Sequence, residues 1–182
     1  MKTIAIILVL AITSHLFAQV VTPPLVPVRP LSPEVINPEN GHTYLLLSQG
    51  NWTDSEAEAV ALGGHLATIK NQSEENFIYD FFAFYGGQRR DLWIGLHATG
   101  PHNRFVWTSG KPVTYTDWLG GQPPNDAGLQ PYVAIMDVFL PGNIGWVNWE
   151  NVTTDYSGIP INGVVEIIRK ERQVRLQNMV GE

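Results

Sequence analysis

Apolar and polar positions along this chain fall into three regimes. Residues 4–12 form an unbroken apolar run, Ile4-Ala5-Ile6-Ile7-Leu8-Val9-Leu10-Ala11-Ile12, well short of the roughly 20 residues that span a bilayer. From Thr43 to Tyr85 the spacing predicts a strand and two helices. Thr43-Tyr44-Leu45-Leu46-Leu47 reads as the strand. Thr53 with Glu56 three residues on has the form of a capping box, Asp54 suits the positive end of the helix, and Gly63-Gly64 ends it. Asn71 with Glu74 opens a second helix, whose residues Phe77, Ile78, Phe81, Phe82 and Tyr85 are expected to form one buried stripe before Gly86-Gly87. From His97 to Gly163 periodicity gives way to Gly, Pro and Asn between short apolar segments, which predicts a long irregular region. The remaining candidate strands are Leu92–Leu96, Tyr132–Met136, Trp146–Trp149 and Val164–Ile168. Two helices, a small sheet and a long loop region make an α+β domain.

The organisation around this core follows from composition. Lys2, the short apolar run and Ala18 read as a secretory signal over residues 1–18, cleaved before Gln19. Residues 19–40 hold Pro23, Pro24, Pro27, Pro30, Pro33 and Pro38 and read as an extended spacer, with a short docking strand left open at Leu25 to Val28. The folded domain is expected over residues 41–170 and a polar tail over 171–182. A chain of 182 residues that is 44% hydrophobic and 15% charged can fill one core. Its net charge of -6 argues against nucleic acid or anionic membranes as partners. There are no cysteines, which excludes disulfides, thiolate metal sites and thiol nucleophiles. Sequons occur at Asn51, Asn71 and Asn151.

The segments Gly50-Asn51-Trp52-Thr53 and Gly63-Gly64-His65-Leu66-Ala67-Thr68-Ile69, then Trp93-Ile94-Gly95-Leu96, Phe105-X-Trp107, Gly110, Tyr115, Trp118 and Gly163-Val164-Val165-Glu166, occur in an order and spacing that resembles the C-type lectin-like domain from His42 to Ile168. The resemblance implies that fold: two helices, a small mixed or antiparallel sheet and a long loop. It also implies four cysteine positions in two pairs, here occupied by Ala59 with Val165 and Tyr132 with Thr154. The first pair is wholly apolar, so packing replaces the crosslink there.

In sugar-binding members a long-loop calcium is held by a Glu-Pro-Asn or Gln-Pro-Asp triplet, a nearby acid, and an Asn-Asp pair after a tryptophan, with a cis peptide usual before the proline. Here the triplet aligns with Gln122-Pro123-Pro124, and a shift by one presents Asn125 or Asp126. The intermediate acid aligns with Gln130, and the pair after Trp149 with Glu150-Asn151; an offset pairing with Trp146-Val147-Asn148 remains open. The resemblance thus implies a calcium set of Gln122, Asp126, Gln130, Glu150 and Asn151 and a carbohydrate set of Gln122, Asn125, Asp126, Glu150 and Asn151. At most two of these are carboxylates, so calcium would bind weakly, at about 0.1–1 mM. Asn151 is also a sequon, and a glycan there would exclude its use as a ligand. Trp146 and Trp149 are expected in the core.

No catalytic signature accompanies this set. His42, His65, His97 and His102 lack metal-ligand spacing, and no nucleophile elbow, phosphate loop or dinucleotide motif is present. The expectation is a secreted, non-enzymatic lectin-like binding module, extracellular or periplasmic, whose partner is a glycan held with calcium. The alternative is a calcium-independent protein-interaction or adhesion module taking an extracellular protein on the same loop surface.

Overall fold

The computed structural model describes residues 27–100, 104–123, 130–137 and 144–169, and the structural statements below concern these residues. The element order is β1 (Val35–Ile36), β2 (Thr43–Gln49), α1 (Trp52–Ala61), β3 (His65–Leu66), α2 (Gln72–Phe82), a 3-10 turn (Tyr85–Gly87), β4 (Asp91–Thr99), β5 (Arg104–Trp107), β6 (Tyr132–Asp137), β7 (Ile144–Trp149) and β8 (Ile161–Ile167). The α+β expectation holds, and each candidate strand is found within a few residues of its predicted span. The predicted pattern did not contain β1, β3 or β5. The two-residue strands are too short to show a period, and β5 is a hairpin arm whose alternation spans only four residues.

Helix α1 begins earlier than expected. Its cap is Asn51, whose side-chain oxygen accepts from the backbone N–H of Asp54 at 2.8 Å. Thr53 lies inside the helix, and Glu56 reaches forward to accept from Leu66 N (2.8 Å) and to meet His65 Nδ1 at 2.7 Å. The predicted capping box is therefore absent, because both of its side chains have other partners. Helix α2 does start at Asn71, which accepts from Glu74 N at 2.9 Å. It ends at Phe82, before Tyr85, and its buried stripe is narrower than predicted. Ile78 and Phe82 are enclosed, whereas Phe81 is 50% exposed and leans on Phe77 with 4.6 Å between ring centroids.

The sheet runs β1-β2-β8-β4-β6-β7, with β3 on β8 and β5 on β4. Strand β8 organises it. All seven of its residues are buried, and it pairs antiparallel with β2 and β3 and parallel with β4. Being enclosed on both faces, it shows no alternation of buried and exposed positions, and its two polar side chains are buried with partners: Asn162 Nδ2 donates to Leu47 O (2.8 Å) and Glu166 accepts from Thr68 N (3.0 Å). Ala59 and Val165 are both fully buried in one apolar cluster with Leu45, Leu47 and Ile167, so packing fills the first cysteine-pair position. At the second, Tyr132 stacks on Trp52 at 4.5 Å and Thr154 bridges to Pro160.

The proline-rich stretch is corrected over its described part. Leu31 N donates to Leu46 O (2.7 Å), Ser48 N donates to Arg29 O (2.7 Å), and β1 pairs with β2. Residues 29–36 thus line the sheet edge, where proline's missing N–H can point away from the ladder. Gly95 marks another junction. Its N–H donates to Ala67 O and its carbonyl accepts from Thr108 N, both at 2.9 Å. A Cβ there would lie 2.5 Å from Leu66 O and 2.8 Å from Thr108 Oγ1, so only glycine lets β4 pass between its neighbours.

Asp91, which begins β4, is 2% exposed, and one of its carboxylate oxygens has no hydrogen-bond partner among the described residues. Burial, then the charge of Asp155, push its pKa up to about 7. A raised carboxyl stabilises the fold fully only below its unfolded pKa, and that contribution is lost as pH rises from about 4 to about 7. Asp91→Asn removes this dependence. Urea titrations at pH 4 and pH 7 should show the variant gaining on the parent as pH rises, by no more than about 4 kcal/mol.

Candidate functional site

The long loop region is organised around β7. This edge strand pairs with β6 on one side, and its other side is covered by residues 117–119. Trp146 N donates to Asp117 O (2.7 Å), Leu119 N donates to Trp146 O (3.1 Å), and Trp118 bridges Trp146 in parallel. Gly145 permits this approach, since a Cβ there would meet Leu119 Cγ at 2.9 Å. Gln122 N then donates to Leu119 O at 2.9 Å, which fixes the start of the proline motif against the strand. The Gln122–Pro123 peptide is cis.

Trp146 is fully buried. Trp107, Tyr115 and Trp118 meet it edge-to-face, at 5.8, 5.7 and 5.9 Å between ring centroids. Its indole N–H donates to Glu75 Oε1 at 2.7 Å, and the Tyr115 hydroxyl donates to Glu75 Oε2 at 2.7 Å. One carboxylate at the first turn of α2 thus joins the helix to β7 and to the segment before the proline motif. Burial raises the pKa of Glu75, and its two hydrogen bonds oppose that shift. Burial and the adjoining Glu75 raise that of Tyr115. The sequence offered no sign of this role, because an acid in a helix's first turn is explained by the helix dipole alone. Trp149 is half-buried and packs on Tyr156 at 4.5 Å, at the margin of the core rather than within it.

The sequence-predicted ligands separate into groups. Asn125 and Asp126 lie outside the described residues, as does Pro124. Gln122 has its side-chain oxygen buried and without a hydrogen-bond partner among the described residues. Asn148, in the offset pairing, is fully buried. Its Nδ2 donates to the Gln130 carbonyl at 3.0 Å, and its Oδ1 is likewise unpartnered. Glu150 is exposed, and among the described residues its side chain accepts from the Tyr156 hydroxyl at 3.4 Å. Asn151 faces α1: its Oδ1 accepts from Thr53 N (3.2 Å) and its Nδ2 donates to Thr53 Oγ1 (3.0 Å). The structure therefore leaves orphaned acceptors at Gln122 and Asn148 and engages both polar atoms of Asn151. A buried carbonyl oxygen without a donor is costly unless a cation or water meets it. These two amide oxygens fit a hard-cation site in chemistry, although both are neutral.

A second cluster was not seen in the sequence because its members are far apart along the chain. One ligand atom each from His42, Glu74 and Glu166 lie within 4.8 Å of one another. Their oxygens already have donors. Glu74 accepts from the Tyr44 hydroxyl (2.6 Å), Asn40 Nδ2 (2.8 Å) and Lys70 N (2.8 Å). Glu166 accepts from Thr68 N at 3.0 Å and meets His42 Nδ1 at 2.5 Å. Burial, followed by the Glu166 charge, strongly raises the pKa of Tyr44, which keeps the hydroxyl a donor. The cluster ties β2, β8 and the start of α2 together as a saturated polar knot.

Glu75→Ala leaves the buried indole N–H of Trp146 unpaired and the Tyr115 hydroxyl with Gln72 Oε1 (2.9 Å) as its remaining partner. It should cost about 2–4 kcal/mol in urea unfolding, and Glu75→Gln, which keeps one acceptor, should cost less.

Comparison with known proteins agrees with this geometry. The family model described as "Lectin C-type domain" matches residues 48–157. The galactose-specific lectin nattectin of Thalassophryne nattereri is 34% identical over 73 residues, 40% of this chain and 46% of that protein. The alpha-N-acetylgalactosamine-specific lectin of Patiria pectinifera is 37% identical over 98 residues, 47% of this chain and 55% of that protein. These matches span about half of the relatives' own length. Among solved structures, human lithostathine superimposes with a TM-score of 0.61 at 21% identity, covering 76% of this chain and all (100%) of that one. At that identity the likeness speaks for the fold alone. The family match extends over more than half of the sequence and the fold is the same, so this chain belongs to the C-type lectin domain family.

Proposed function

We propose that the protein is a secreted, non-enzymatic lectin that binds a glycan through the loop region bordered by Gln122 and β7, with a weakly held calcium ion assisting. The observation that carries this reading is that the side-chain oxygens of Gln122 and of Asn148 are each buried without a hydrogen-bond partner among the described residues, in a family whose relatives include proteins named as galactose- and N-acetylgalactosamine-specific lectins. Bound calcium would supply a point of positive charge to which sugar hydroxyls can add as ligands. This chain's residues do the rest. Gln122 and Asn148 offer acceptors, the Gln130 carbonyl accepts from Asn148 Nδ2, and the Trp146 frame positions Gln122 through Leu119. Asn125 and Asp126 follow Pro124 directly and are proposed to add oxygens and one negative charge. Glu150 is assigned to the exposed rim. Asn151 enters the set only by giving up Thr53.

The neutral charge of both orphaned amides, and the engagement of Asn151 with Thr53, favour a second reading in part: an adhesion or protein-interaction module that works without calcium. Neither reading includes a membrane-spanning helix, and among the described residues no helix is long and apolar enough to cross a bilayer.

A glycan array probed with the secreted protein, in millimolar calcium and again in EDTA, separates the two. The lectin reading expects saccharide binding that EDTA abolishes. It expects Asn148→Ala and Gln122→Ala each to weaken that binding by roughly tenfold or more, as for the loss of one ligand from an already poor set, with Glu150→Ala causing a smaller loss. Binding unchanged by EDTA would favour the calcium-independent module. A larger effect at Glu150 than at Asn148 would return the site to the Trp149-Glu150-Asn151 alignment.

A further inference from the structure

The hairpin arm β5 and the segment after it enclose a depression of about 430 Å³, lined by Arg104, Phe105, Val106, Trp107, Gly110, Lys111, Pro112 and Val113. That volume falls in the range of small-ligand sites, about 300–1,000 Å³. Its shape comes from a tight reversal. Gly110 N donates to Trp107 O at 3.0 Å with Gly110 at φ +71°, which returns Lys111 to Val113 alongside β5. The aromatic wall is fixed by the frame already described, since Trp107 meets Trp146 at 5.8 Å and Phe105 meets Trp118 at 4.9 Å.

The chemistry of the lining is one-sided. None of its side chains carries a hydrogen-bond acceptor, and its two exposed polar groups are the cations Arg104 and Lys111. Among the described residues, neither has a side-chain hydrogen bond or a carboxylate partner. Two unpaired cations facing one concavity are unusual in a chain with 17 acids against 11 bases, and between them they call for a ligand that brings acceptors and negative charge. An aromatic and aliphatic wall behind them suits a ligand with apolar C–H faces as well.

From this we infer that the depression between β5 and residues 110–113 binds the sulfate or carboxylate groups of an acidic saccharide, with Arg104 and Lys111 holding the oxyanions while half-buried Phe105 and exposed Val113 offer apolar contact. The choice of a saccharide rests on the lectin reading above. The anion preference does not, and neither does it involve the Gln122 and Asn148 acceptors.

The test is run in EDTA, so that loss of the calcium-assisted site leaves it untouched. The secreted protein is titrated by calorimetry with a heparin-derived octasaccharide and with its fully desulfated, N-acetylated and carboxyl-reduced counterpart. Binding of the first and not of the second is expected. The double variant R104S/K111S should weaken it roughly fivefold or more, and rising salt should weaken it further, as for screened, partly exposed charge contacts. A control variant, K170S/R172S/R175S, should bind as the parent does, and thermal melts of both variants should match the parent. Failure of the parent to bind, unchanged affinity in R104S/K111S, or an equal loss in the control would overturn the inference. Inorganic sulfate that displaces the octasaccharide where chloride at equal ionic strength does not would reassign the depression to a free anion and overturn it too.

Discussion

The long loop region depends on one contact, the indole N–H of Trp146 against the carboxylate of Glu75. Trp146 sits where β7, the Asp117–Leu119 segment and the three surrounding rings meet. A tryptophan so enclosed needs a partner for its polar edge, because an unpaired donor there costs about as much as a hydrogen bond contributes. Glu75 supplies that partner from the first turn of a helix anchored elsewhere in the core, and it takes the Tyr115 hydroxyl on its second oxygen. Both candidate binding surfaces inherit this rigidity. Gln122 is fixed through Leu119, which is bonded to Trp146, and the wall of the cationic depression is fixed through Trp107 and Phe105.

Below that frame, the domain closes without a crosslink. The strand near the start of the fold, β2, and the last strand, β8, lie side by side, and β8 is also inserted against β4. Ala59 and Val165 bury apolar surface where the resemblance implied a cysteine pair. A lost disulfide typically costs about 2–5 kcal/mol, and several features here act in the opposite direction. The β8 strand is wholly enclosed, the His42–Glu74–Glu166–Tyr44 knot is saturated with donors, and residues 29–36 extend the sheet at its edge. The buried Asp91 works against stability at neutral pH, and its orphaned oxygen shows that the packing is not optimised everywhere.

Much of this fold was legible in the sequence. Leu92 to Leu96 and Tyr132 to Met136 are strands because short apolar runs bounded by turn residues have few other ways to be buried, and Val164 to Ile167 follows the same logic despite Glu166 within it. Asn71 was recognisable as a cap because its helix pattern follows at once. The errors came from residues with competing partners. Thr53 and Glu56 have the spacing of a capping box, yet Asn51 takes the cap and Glu56 goes to His65 and Leu66. The prolines of residues 29–36 looked like a spacer because sequence cannot show that β2 leaves an edge open beside them. At the site, the ambiguity between Trp146 and Trp149 could not be resolved from spacing, since each is followed within two residues by an asparagine, Asn148 and Asn151. Only burial distinguishes them, with Trp146 as the hub and Trp149 at the margin, and burial is a property of the packed chain. Glu75, Arg104 and Lys111 had no sequence signal at all, because each acquires its role from residues distant in the chain or from the absence of a partner in space.

The central claim is that Gln122 and Asn148 present unsatisfied side-chain oxygens from a frame that does not move. It is tested most directly by recording the side-chain amide resonances of these two residues and the indole resonance of Trp146 during a calcium titration of isotopically labelled protein. The account predicts saturable shifts of the Gln122 and Asn148 amides in the millimolar range, while the Trp146 indole N–H, held by Glu75, stays in place. Unmoved amides at both positions, or a calcium-induced shift of the Trp146 indole as large as theirs, would contradict it.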